Sequence, residues 1–79
     1  MSNREKLVEC FASTLGIPAA HVVDTLAYES IPQWDSVAHM ALVAQLESSF
    51  DVMLDTDDIL AMSSVAVARD ILGRHGVAF

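Results

Sequence analysis

A carboxylate, a hydroxyl and an imidazole stand close together at Asp35, Ser36 and His39, the side-chain types from which an activated serine nucleophile is built. His39 follows Ser36 by three positions, so on a helix the two side chains are neighbours. A serine hydrolase needs more than this pair: a carboxylate that orients the imidazole, N–H donors for the oxyanion and a substrate pocket. The sequence gives no sign of these, and His39 reads as a buried or half-buried structural histidine on the core-facing side of its helix. Ser36 follows a long loop and opens a helix, where free N–H groups and the helix dipole favour an attached phosphate. Serine is also common in a first turn for structural reasons alone.

The remaining candidates for chemistry are weaker. His21 and His75 fall in a loop and in the tail, with no metal-ligand spacing. Aspartates gather between Asp51 and Asp58, but an EF-hand calcium loop needs glycine at its sixth position and glutamate at its twelfth. Counting from Asp51 or from Asp55 supplies neither. The single Cys10 rules out an internal disulfide, suits a reducing compartment and reads as a small, part-buried side chain. Trp34 reads as a loop anchor against the core.

Helical periodicity supplies the elements that must position Ser36. From Asn3 to Leu15, the residues Leu7, Val8, Phe11, Ala12 and Leu15 share one arc of a helix, which Gly16 and Pro18 stop. Between Gly16 and Trp34 there is no sustained period, and a loop that long needs anchors; Ile17, Val22, Val23, Leu26, Ile31 and Trp34 are available, with a short turn after Pro18. Asp35 is a suitable N-cap for a second helix from Ser36 to about Phe50. Its bulky arc, Leu42, Val43, Leu46 and Phe50, is assigned to the core, which leaves Val37, Met40, Ala41 and Ala44 on the opposite arc beside Ser36. Asp55 and Asp58 open a short third helix ending near Met62. Ser63 or Ser64 caps a fourth, in which Val65, Ala68, Ile71 and Leu72 line one face before Gly73 closes it. The expected fold is a single all-α domain over residues 1–79: a small antiparallel four-helix bundle, three main helices and a short third one, with a long loop between the first two.

Composition narrows the function. A chain of 79 residues has one small core and little room for an enclosed active site, so we expect a monomer that is not itself an enzyme. Eleven acidic residues against four basic give a formal charge of -7, and no Lys or Arg occurs between Leu7 and Ala68. Nucleic acid and anionic membrane surfaces would be repelled, so the matching partners are proteins with basic docking faces. Arg4 and Lys6 precede an apolar stretch as in a signal peptide, but Glu5 and Glu9 interrupt it and no small-residue cleavage site follows. No stretch approaches membrane-spanning length. These features are those of a cytoplasmic protein.

Trp34-Asp35-Ser36-Val37, followed by an apolar helix ending in Leu46-Glu47-Ser48-Ser49-Phe50-Asp51-Val52, resembles the acyl carrier protein family, whose attachment motif is Asp-Ser-Leu and whose second helix commonly ends Leu-Glu-x-x-Phe. Asp55 to Ile59 is similar to the acidic opening of that family's third helix, and Ser64-Val65 to the opening of its fourth, so the likeness covers nearly the whole chain. The resemblance implies that Ser36 is the hydroxyl to which a separate phosphopantetheinyl transferase attaches 4'-phosphopantetheine from coenzyme A. The arm's thiol would then carry acyl or aminoacyl groups as thioesters between acyl-transferring and acyl-activating biosynthetic enzymes. Tethering raises the cargo's effective concentration at each docked enzyme.

The expected recognition surface is Asp35 with Val37, Met40 and Ala41 around Ser36, steered by Glu47, Asp51, Asp55, Asp57 and Asp58. The alternative is that this stripe packs against the long loop or the third helix. The sequence departs from the fatty-acid type of carrier: Ala38, His39 and Ala41 occupy positions usually acidic there, and Val37 replaces the usual leucine. Trp-Asp-Ser-x-x-His is closer to dedicated carriers of polyketide-type, aminoacyl or surface-polysaccharide pathways. No Gly-Gly-x-Ser-type motif of peptidyl carriers is present. A carrier-like interaction module that never receives an arm is the alternative from another class.

Overall fold

The computed structural model describes residues 1–79. Helix α1, Asn3–Leu15, starts with a reciprocal cap: Ser2 Oγ accepts from the Glu5 amide, and the Glu5 carboxylate accepts from the Ser2 amide, both at 3.1 Å. Those bonds from Ser2 hold the Glu5 carboxyl below its ordinary value. At the other end Gly16 adopts φ 66°, a left-handed conformation that costs glycine nothing, and returns its N–H to the Ala12 carbonyl. Leu7, Cys10, Phe11 and Leu15 are buried, while Val8 and Ala12 pack at the edge of the core. Cys10 is more deeply placed than expected: it is 4% exposed, and its Sγ donates to Ser49 Oγ at 3.2 Å.

The long connection contains one 3₁₀ turn, Ala19–His21, directly after Pro18. Ile17, Val22 and Trp34 are buried and Leu26 and Ile31 half-buried, but Val23 is 51% exposed and anchors nothing. Val22 takes the inward position, and its neighbour in a non-helical backbone is turned outward. Trp34 is fully buried, edge-on to Phe11 at 5.3 Å between ring centroids. The backbone is fastened as well. Leu26 and Asp24 carbonyls accept from the Val65 and Ala66 amides, Tyr28 N–H donates to the Ser63 carbonyl, and Ala27 pairs with Ser64 in a single antiparallel bridge.

Helix α2, Ser36–Phe50, is capped by the Asp35 carboxylate, which accepts from the Ala38 amide at 2.8 Å. Leu42, Val43 and Leu46 are buried as their arc requires, and α1 with α2 forms the most extensive helix pair. Phe50 is half-buried at the core's edge, near Phe79. Asp51, φ 52°, ends α2 in the left-handed conformation that Asp tolerates better than most residues. The Glu47 carboxylate then takes the Leu54 amide at 2.9 Å.

Helix α3, Thr56–Ala61, repeats the reciprocal cap with Asp55 and Asp58, yet none of its residues is buried. It hangs between buried anchors at Leu54 and Met62. Helix α4, Val65–Arg74, is capped by Ser64, not Ser63, and buries Val65, Ala68, Ile71 and Leu72. Gly73 does not close it. The helix continues to Arg74, and the chain turns at His75 and at Gly76, where φ is 92°. The fold is all-helical, with four α-helices, no strand, one wholly apolar core and extents of 30 × 28 × 20 Å. No helix is long and apolar enough to cross a membrane.

Candidate functional site

Ser36 is the first residue of α2 and is exposed. Because Asp35 takes the Ala38 N–H, the Ser36 hydroxyl has no capping task. A helix start leaves its earliest N–H groups without helical acceptors, so the backbone at Ser36 and Val37 carries local positive charge.

Beside Ser36 lies a pocket of about 290 Å³ between the first turns of α2 and helix α3. Met40 contributes from α2 and Ile59 and Leu60 from α3, with Ser63, Tyr28, His39 and buried Met62 completing the lining around Ser36. This is the feature sequence reasoning missed. Its one legible signal was the adjacent pair Ile59-Leu60 in a helix too short to bury both: Ile59 is half-buried, while Leu60 is 78% exposed.

The structure brings some predicted residues together and separates others. Ser36 and Met40 line the same pocket; Val37, 79% exposed, and Ala41 stay outside it on the solvent side of α2. Met40, 56% exposed, thus serves both the stripe and the pocket, so the stripe neither faces solvent as one unit nor packs away against α3. Asp35 is exposed and engaged in its cap.

His39 is half-buried, and both ring nitrogens are engaged. The Trp34 indole Nε1–H can only donate, so Nδ1 of His39 is its acceptor at 3.0 Å. Nε2 must then carry the hydrogen and donate to the Ile59 carbonyl at 3.0 Å. The ring lies nearly coplanar with that of Trp34, 21° between the planes, and packs against Tyr28. Neither nitrogen is open to take a proton from Ser36.

The acidic surface is less free than its composition suggests. His75, in the tail after α4, bonds through Nε2 to the Asp58 carboxylate at 2.7 Å. That hydrogen bond, helped by the Asp55 amide, holds the Asp58 carboxyl below its ordinary value against the opposing effect of partial burial. Arg69 grips Asp24 through both oxygens, at 2.7 and 3.3 Å, and depresses its carboxyl in the same way. Glu47 and Asp55 serve local backbone amides, which leaves Asp51, at the far end of α2, and Asp57, in the first turn of α3, as the unengaged charges between Glu47 and Asp58.

No protein-family model matches the chain, and no curated protein matches it.

Proposed function

We propose that this chain is an acyl carrier protein, a domain without catalysis of its own that holds acyl or aminoacyl groups as thioesters on 4'-phosphopantetheine joined to Ser36. The observation that carries this reading is an exposed serine in the capped first turn of α2, at the edge of an apolar pocket. The finer fold belongs to the same reading: the four helices as an antiparallel bundle with α2 as its recognition element.

The residues present fit such a group. The unpaired N–H groups at the start of α2 favour an anionic phosphodiester on Ser36, and the pocket offers an apolar lining within reach of that position. When bound, the arm would supply a flexible tether ending in a thiol. The chain's own part is to hold Ser36 exposed, to present Val37 and Ala41 to a docking enzyme and to offer Met40, Ile59 and Leu60 to apolar cargo. The engagement of both His39 nitrogens supports an inert carrier over a Ser-His hydrolase. The partners in this reading are a phosphopantetheinyl transferase and biosynthetic enzymes with basic docking faces, in the cytoplasm. The departures at Val37, Ala38, His39 and Ala41 favour a specialised pathway over housekeeping fatty acid synthesis.

The test is intact mass after incubation with coenzyme A, magnesium and a broad-specificity phosphopantetheinyl transferase. One added phosphopantetheine, lost in Ser36→Ala, is the expected result. No addition to a folded protein, with an active transferase control, would move the reading to an interaction module that works through the exposed apolar surface of Val37, Met40 and Leu60.

A further inference from the structure

Helix α3 forms one side of the pocket beside Ser36, and of its apolar side chains Ile59 packs against the core while Leu60 lies exposed. With six residues it is far shorter than a helix that persists alone, and none of them is buried. Its start is secured by the Asp55–Asp58 cap and by His75 on Asp58. Its end has no such device: Met62 closes it without a glycine or a left-handed turn. Carbonyls of the last turn have run out of helical N–H partners, and that of Ile59 is one of them. His39 Nε2 supplies the missing donor from α2 at 3.0 Å, while Trp34, fully buried in the core, holds the ring through Nδ1.

We infer that His39 is a positioning residue: a relay from Trp34 through its imidazole to the Ile59 carbonyl caps the end of α3 from α2 and sets the gap between the two helices, hence the width of the pocket beside Ser36. His39 transfers no proton by this assignment, and although its ring also lines the pocket, its positioning role is exerted on α3. It acts through Ile59 and Leu60, the residues α3 contributes to the pocket. The consequence for cargo rests on the carrier reading; the mechanical role does not.

Two substitutions separate the two bonds. In His39→Gln the side-chain amide nitrogen reaches the place of Nε2 and keeps a donor for Ile59. In His39→Asn the amide oxygen takes the place of Nδ1, so the Trp34 acceptor survives and the bond to α3 is lost. Hydrogen exchange of the unmodified protein should show residues 56–62 opening about fivefold or more faster relative to α1 in His39→Asn, the population change expected for one lost hydrogen bond, with His39→Gln near wild type. Equal protection of α3 in both variants, or a uniform rise throughout the chain in both, would overturn the assignment. The wild type gives a check that no folding failure can remove: long-range ¹H–¹⁵N correlation should show the Nε2–H tautomer with a bare Nδ1, and the opposite tautomer would also overturn it. Where the transferase loads Ser36 with short and medium saturated acyl arms, hydroxylamine should cleave the longer thioester more slowly in wild type and His39→Gln, a difference that vanishes in His39→Asn. If Ser36 takes no arm, the carrier reading fails, and the exchange and tautomer measurements still decide the role of His39.

Discussion

Ser36 makes few structural demands, because Asp35 does the capping and the serine is exposed. Ser36→Ala should therefore leave stability within about 0.5 kcal/mol while abolishing the modification proposed above; urea unfolding and intact mass read the two effects on one sample. Asp35→Ala should cost about 1 kcal/mol by urea unfolding, since it removes the acceptor for the Ala38 amide. At Asp58 the effect depends on pH. Its carboxyl lies below the ordinary value of 3.8 because His75 bonds to the ionised form. A depressed carboxyl stabilises the fold above the unfolded-state value and loses that contribution as the pH falls through the folded one. Asp58→Asn should consequently destabilise the protein at neutral pH and flatten the stability loss below about pH 4, as followed by thermal melts across that range.

Periodicity and capping chemistry made the helices legible: Gly16 marks the end of α1 and Asp35 the start of α2. Gly16→Ala should cost about 1 kcal/mol from backbone strain alone, since nothing lies within 4 Å of an added Cβ, and thermal melting would record it. Gly73 misled because glycine signals a helix end only where its positive φ is used, and α4 reaches its turn later, at His75 and Gly76. The links between elements were beyond periodicity. Sequence spacing places His39 on the inward side of α2, but that its ring would meet the end of α3 depends on how far apart the two helices lie. The pocket was hidden for the same reason: it is a property of the space between α2 and α3, to which Met40 and Leu60 belong equally. The fastening of the loop through Asp24, Leu26 and Tyr28 to the start of α4 arises from backbone groups that carry no residue-specific mark.

The charge of -7 is spread over a body of only 30 × 28 × 20 Å. At an ionic strength of about 0.01 M the Debye length, about 30 Å, spans the molecule, so every carboxylate senses the others; at about 0.1 M it is about 10 Å. Self-repulsion opposes the compact state, so the melting temperature should rise with salt over that interval, with a smaller rise after one or two exposed carboxylates such as Asp51 and Asp57 are neutralised to Asn. The same screening should slow association with a basic partner, so stability and docking respond to salt in opposite directions. The depth at which Cys10 is sealed, between α1 and Ser49 of α2, has a practical consequence. Under native conditions a thiol reagent meets no accessible thiol on the unmodified chain, so on the proposed carrier reading its reaction would count the free arm thiols on Ser36 without correction for cysteine. As the chain unfolds, the same colour reaction registers Cys10, and its rate becomes a clock for global opening.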